Sequence, residues 1–301
     1  MNGRASVTAR RGMSPSAGLR MLLFLLGLLL LYPLVLEPAA ALAARGLLLS
    51  EASRTGAQNW GVVLAVAIAT AVAARLERRP FGDYGYPRRR VGSPLTEGFV
   101  WGVVLACLAA VILRVTGSAD FEFAARPVAA ATVSGAAWWL SRLGFSAIDQ
   151  FLFRGYLLVT AARGIGFWPA AWALTLFFTF EKLLPTQQWQ AVPAVAFLAW
   201  GLLSALVLKR TGSLWFGTGL GLGLDWGLVF LYGLPMAGTS EHPRGALMNV
   251  SAHNTLFTGG AAGIRGSVVM PALIALAAAL VHIRFSAPVH AKVEPLPEVV
   301  A

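Results

Sequence analysis

Long apolar runs separated by short polar connections dominate the chain. Eight stand out, at about 21–36, 59–74, 96–115, 127–148, 166–181, 191–208, 212–232 and 267–283. Several extend 16 to 22 residues with almost no charge, close to the ~20 residues a helix needs to cross a bilayer core. The pattern predicts an all-α fold, a multi-pass transmembrane helix bundle of about eight spans.

Composition agrees with the pattern. Of 301 residues, 57% are hydrophobic and 12% charged, about half the charged fraction of a soluble domain. The net charge of +11 could point to nucleic acid, but its placement argues against that partner. Arg4, Arg10, Arg11 and Arg20 precede the first run, and Arg75, Arg78, Arg79, Arg88, Arg89 and Arg90 sit in one connection. Arginines flanking apolar spans set topology and meet anionic lipid headgroups. With the N-terminus inside, 17 of the 24 Lys and Arg residues fall on the inner side. The outer seven are Arg45, Arg54, Arg114, Arg126, Lys182, Arg244 and Arg265. The expected location is therefore a cell (inner) membrane, with both termini cytoplasmic. The "AAALAA" after the first run resembles a signal cleavage site, but the long basic leader and the charge count favour an uncleaved anchor.

The connections divide the chain into a basic tail (1–20), N-terminal spans with a basic loop at 75–95 (21–125), a central set of spans (126–232), an outer loop with the last span (233–283), and a Pro-rich tail (284–301) expected to be disordered. The loop "RLERRPFGDYGYPRRR" suits a surface segment with Phe81, Tyr84 and Tyr86 at headgroup level. The loop 233–266 reads as an outer cap with no chemistry forced on it. Cys107 is the single cysteine, which excludes an intramolecular disulfide and a cysteine-based metal site.

Candidate chemistry lies in the charges set within apolar runs. At the centre of a span such a residue costs about 2.5–3.5 kcal/mol on insertion scales, so it faces a protein interior or a cavity. Asp149 opens "DQFLFRGY", Glu181 ends "LTLFFTFEK" and Asp225 lies in "TGLGLGLDWG". Asp225, with apolar neighbours on both sides, is expected to face the bundle. Glu181 could simply end its span at the headgroups, and Arg154 could snorkel to an inner edge. Arg154 is five residues after Asp149, slightly beyond the i+4 neighbour on a helix, so direct pairing needs a break or another helix. The glycines at 217, 219, 221, 223 and 227 lack dinucleotide-fingerprint spacing and a preceding strand; close helix approach in lipid explains them better.

The segments "FLFRGYLL", "RGIGFWPAA", "KRTGSLWFGTGLGLGLDWG" and "FLYGLPMAG…TGGAAG" together resemble the CPBP intramembrane proteases, which include the type II CAAX prenyl endopeptidases and bacteriocin-processing immunity-type proteins. The resemblance covers roughly 130–283 and is best over 146–240. It implies a water-activating Glu-Glu-x-x-x-Arg motif, a Phe-x-x-x-His motif, and a His four residues before Asn or Asp as oxyanion holder, without metal or cofactor. Here the first motif reads Asp149-Gln150 with Arg154 kept, the second Phe177 with Glu181, and the third Gly221 with Asp225. Arg265 stands near the outer cap where the family often has a glutamate. Losing an acid–base histidine forfeits about 10²–10⁴ in rate, and losing an oxyanion donor about 10²–10³. The expectation is thus a catalytically impaired relative that binds a membrane-embedded or prenylated peptide or a partner protein, with Arg154, Asp225 and the Trp215 region shaping the cavity. Two other readings remain open: an active endopeptidase whose Asp149/Glu181 pair shares a proton and activates water, and a hard-cation site on Asp149, Glu181 and Asp225.

Overall fold

The computed structural model describes residues 15–45, 50–87, 91–124, 127–184, 190–234 and 245–285. Its helices are α1 (Pro15–Ala44), α2 (Glu51–Leu76), α3 (Gly92–Val115), α4 (Val128–Gln150), α5 (Leu157–Ile165), α6 (Phe167–Leu183), α7 (Ala191–Thr211), α8 (Leu214–Trp226), the short α9 (Thr255–Thr258) and α10 (Val269–Arg284). All eight apolar runs lie on helices, and the all-α expectation holds. Among the described residues, five stretches are long and apolar enough to cross a membrane: Ala17–Pro38, Ala52–Leu76, Gly92–Val115, Ala191–Thr211 and Leu214–Leu231. The C-terminal tail 286–301 lies outside the described residues.

Local signals set the helix ends. Ser50 and Ser53 cap α2 reciprocally, each side chain accepting from the other's backbone N–H, which satisfies two donors left open at a helix start. Gly212, at φ 65°, ends α7 in a left-handed turn, and Ser213 then caps α8 by accepting from the Trp215 N–H.

The packing is organised around α8, which is pressed between α3 and α4. Its glycines recur every second residue, and two residues on a helix turn through ~200°, so alternate glycines face opposite ways. A Cβ at Gly219 or Gly223 would overlap the carbonyl oxygen of Leu95 or Phe99 on α3. In return, a Cβ at Gly98 or Gly102 on α3 would overlap the carbonyl of Phe216 or Leu220. On the other face, a Cβ at Gly217 would crowd Gln150 and one at Gly221 would overlap Ser146 Oγ, both on α4. Backbones approach this closely only where side chains are absent, and the gain in lipid is dispersion contact. Trp226 ties the far end of α8 to α4 by donating to the Gly135 carbonyl at 3.0 Å.

Two tyrosines of the basic loop face the protein rather than the surface expected for them. Phe81–Tyr84 forms a 3-10 turn, and Tyr84 and Tyr86 are buried rather than lipid-facing. Their rings find an aromatic bed in Tyr156, Phe151 and Trp215, and Tyr84 also finds a buried acceptor. Glu77, just past α2, accepts from Tyr84 at 2.8 Å and Tyr156 at 2.6 Å, and pairs with Arg163 of α5 at 3.4 Å and Arg20 of α1 at 3.9 Å. Phe24 of α1 stacks on Tyr156 at 4.5 Å. One carboxylate thus gathers α1, α2, the loop and α5. At the opposite end of α3, Ala119–Phe123 (β1) pairs antiparallel with Met248–Ala252 (β2), Phe121 opposite Val250. This strand pair went unforeseen because its halves lie more than a hundred residues apart.

Gly223→Leu should lower stability by about 1–3 kcal/mol as an overpacked contact, while Gly27→Ala, whose added Cβ meets nothing within 4 Å, should not; thermal melts in detergent compare them. A second outcome concerns pH. Burial, then the Glu77 hydrogen bond, raises the Tyr84 phenol above its ordinary 10, and burial alone raises Tyr86. The folded state therefore holds protons that the unfolded chain releases, so this stabilisation is complete below pH about 10 and declines as pH rises further. Melts at pH 8 and 11 should show that fall, reduced in Tyr84→Phe.

Candidate functional site

The polar core begins where α4 stops being an α-helix. Phe151–Tyr156 is a π segment that joins α4 to α5, and Gly155 leaves helical geometry at ψ −116°. Such segments displace the backbone ladder by one residue and are frequent at functional sites. The lack of a Cβ on Gly155 admits the Tyr86 hydroxyl, which would otherwise sit 2.8 Å from that atom. The break anticipated between Asp149 and Arg154 is present, but the resulting bond is not carboxylate to guanidinium. Arg154 Nη1 donates to the Asp149 backbone carbonyl at 3.0 Å. Snorkelling is overturned for Arg154, which is 2% exposed and lies 4.6 Å over the Phe178 ring. Gly201 of α7 leaves it space, since a Cβ there would stand 3.0 Å from Arg154 Nη2.

Asp149 and Asp225 are both buried, and each meets a cation. Lys182 Nζ lies 3.0 Å from Asp149 Oδ1, and Arg265 Nη1 lies 3.5 Å from Oδ2. Arg265 Nε lies 2.7 Å from Asp225 Oδ1. The same lysine stands 3.2 Å from Glu181 Oε2, whose side chain is 47% exposed. Lys182 therefore contacts both of the carboxylates that a shared-proton pair would use. Asp149 from the end of α4, Glu181 from the end of α6 and Asp225 from α8 are linked to one another through Lys182 and Arg265, with Asp149 and Asp225 buried and Glu181 about half exposed.

Aromatic faces complete the enclosure. The Arg265 guanidinium lies 4.6 Å over Trp200 and 5.8 Å over Phe145, Lys182 4.9 Å over Phe145, and the buried Arg142 4.9 Å over Trp138. Among the described residues, no three His, Cys, Asp or Glu side chains form a group able to hold a metal; at Asp149, Glu181 and Asp225 the chain's own Lys182 and Arg265 take the cation positions.

The motif positions Gln150 and Gly221 are tightly packed. Gln150 Nε2 donates to Ser204 Oγ at 3.2 Å. Ser146 Oγ donates to the Thr218 carbonyl at 2.7 Å and occupies the space a side chain at Gly221 would need. A histidine at 221 is therefore incompatible with Ser146 as it stands. Phe177 is about half exposed, 6.0 Å from Phe153, and Trp215 packs on Tyr86 and Phe151.

Three participants were not legible as such. Lys182 and Arg265 read as outer-side charges, and the 233–266 loop read as a cap without chemistry. That loop in fact delivers Arg265 into the core. Gly259 at φ 81°, Gly260 at φ 52° and Gly263 at φ 63° fold it into two 3-10 turns, Gly260–Ala262 and Ile264–Gly266; such backbone angles are open to glycine at little cost. The glycine cluster around a lone arginine, "TGGAAGIRGS", was the available signal. Glu77 was the third, masked among arginines in a loop read as surface. Beside the core lies a cleft of about 290 Å³ between the start of α7 and this loop, lined by Gln190, Val192, Pro193, Thr255, Leu256, Gly259, Gly260 and Gly266.

Comparison of the chain with protein-family models, with curated proteins and with solved structures gave no match.

Arg265→Met should lower stability by about 3–5 kcal/mol, because it leaves buried Asp225 without its cation. Adding Asp225→Asn should recover part of that loss, and a double-mutant cycle from chemical denaturation in micelles measures the coupling.

Proposed function

We propose that this chain is an eight-span integral membrane protein, built on the plan of the CPBP intramembrane endopeptidases, that binds a membrane-embedded or prenylated peptide without cleaving it. The observation that carries this reading is Lys182, within 3.0 Å of Asp149 and 3.2 Å of Glu181. A water-activating pair needs its carboxylate oxygens open to a water and to each other, and here one ammonium contacts both. Asp225 is likewise in contact with a cation, Arg265 Nε at 2.7 Å. The core then serves as a charge-compensated keystone for the bundle.

The span count of eight is supported by the helix found at each apolar run. The helices outside the five long ones include α6 with 17 residues and α10 with 16, about 24–26 Å each at 1.5 Å per residue, a little short of the ~30 Å hydrocarbon core. Family kinship rests on the ordered sequence segments and on the meeting of their Asp149, Glu181 and Asp225 positions around one core. The location proposed for the peptide is the cleft beside Arg265, where Thr255, Leu256 and the glycine turn offer backbone and small side chains to an extended chain.

Reconstituted protein tested against prenylated and transmembrane peptides should crosslink peptide and release no fragments by mass spectrometry. Leu256→Arg should weaken capture about tenfold, the equivalent of ~1.4 kcal/mol. Cleavage by the wild type that vanishes in Asp149→Asn would overturn the non-catalytic reading in favour of an Asp149/Glu181 endopeptidase.

A further inference from the structure

A second recess lies away from the ion-paired core. α6, α7 and α10 leave a cleft of about 310 Å³ on the outer face of the bundle, with Trp168, Trp172, Leu202, Leu206, Ile274 and Ala278 among its lining residues. Apart from the indole N–H groups of Trp168 and Trp172 the lining side chains are apolar, so the cleft offers no side-chain acceptor to a peptide backbone, whose unmet N–H groups are expensive in hydrocarbon. Small residues, Ala199, Ala275 and Ala278, keep it open between the larger walls. Along α10 it extends from Pro271 to Ala278, about 10 Å of helix at 1.5 Å per residue.

One end of this cleft is cationic, and the helical register explains why. On α7, Leu202, Leu206 and Lys209 follow one another at i, i+4 and i+7; on α10, Ala275, Ala278 and His282 follow at i, i+3 and i+7. The residue after each apolar lining is thus polar on the same face. Lys209 Nζ lies 4.5 Å over the Trp168 ring and 5.4 Å over Phe167, which fixes the ammonium at the cleft's end. Arg210 Nη2 lies 2.7 Å from His282 Nδ1. A guanidinium can only donate, so Nδ1 is the acceptor in that bond and the ring's proton sits on Nε2, a further donor. The C-terminal ends of α7 and α10 also lie here, and these cations more than offset their partial negative charge. The nearby acid, Glu97, is held by Arg284 at 3.4 Å.

We infer that the α6/α7/α10 cleft with Lys209, Arg210 and His282 is a binding site for an anionic glycerophospholipid, one acyl chain lying in the cleft and the phosphate at Lys209. Charge complementarity and a lining without side-chain acceptors select this occupant over a peptide. Trp168 sits where the chain meets the headgroup, the level that tryptophan favours in membranes. The inference requires the membrane setting proposed above but not the peptide-binding role, and the site shares no residue with the Asp149 core.

The test uses the full chain in nanodiscs of equal phosphatidylglycerol and phosphatidylcholine, extracted into detergent, with retained lipid read by native mass spectrometry. The wild type should retain phosphatidylglycerol selectively. Lys209→Gln should lower that retention about fivefold, the scale of one basic residue at an anionic surface, and leave phosphatidylcholine unchanged. Ala275→Phe should displace both lipids by filling the cleft. Soluble glycerol phosphate should leave the melting temperature unmoved, since it lacks the chain that the cleft holds. Equal retention of the two lipids by wild type, full selectivity in Lys209→Gln, or stabilisation by glycerol phosphate as large as by the lipid would each overturn the inference. Should Ala275→Phe not fold, the Lys209→Gln comparison decides alone.

Discussion

A single guanidinium, that of Arg265, reaches both buried aspartates and so joins three distant parts of the chain. Its Nε meets Asp225 on α8 at 2.7 Å, and its Nη1 meets Asp149 at the end of α4 at 3.5 Å. Charges withdrawn from water carry a desolvation penalty of several kcal/mol each, which only close, well-oriented partners offset. That requirement shapes what surrounds them. The 259–266 turn must be glycine-rich to place Arg265, Trp200 must present its face to the guanidinium, and Lys182 must turn inward from the end of α6 to complete the charge balance at Asp149. Removing any one of these weakens the compensation or the packing of a buried charge, so the elements depend on each other.

The keystone could not form without the position of α8. Because its glycines alternate, the helix offers bare backbone to α3 on one side and to α4 on the other. Close approach on both sides buries Asp225 completely while keeping it within reach of Arg265. The π segment plays the matching part on the next element. It releases the Asp149 carbonyl to the Arg154 guanidinium, and Arg154 is then packed under Phe178 and beside Gly201. Two departures from regular packing, one of side-chain size and one of helix winding, thus serve the same polar core.

A second, smaller keystone stands among α1, α2 and α5. Glu77 accepts from two tyrosines and pairs with arginines of α1 and α5, drawing the basic loop inward against the bundle. The arrangement resembles the first in its physics: a carboxylate shielded from solvent, held by donors from separate elements, with aromatic rings closing the remaining space. The two differ in exposure to water, since the Arg20 side chain at the Glu77 cluster is 39% exposed. α1, otherwise lightly packed, is anchored to the bundle at this point through Arg20 and Phe24.

Hydrophobic runs by themselves determined the helices, because an amide left unpaired in an apolar setting is too costly for any other backbone form. The glycine series determined a close approach, and Asp225, flanked by apolar residues, determined that an acid would face inward. Those readings need only neighbours along the chain. What lay beyond them was the choice of partners: that Lys182 bridges Asp149 and Glu181, that Arg265 turns into the core, that Glu77 collects two tyrosines, and that β1 finds β2. Most of those contacts join residues far apart in sequence; the Lys182–Glu181 and Glu77–Tyr84 pairs are the local ones. A charged side chain in a loop has the same local pattern whether it meets water or a buried carboxylate. Tertiary packing alone decides which, by setting whether water remains within reach of the charge.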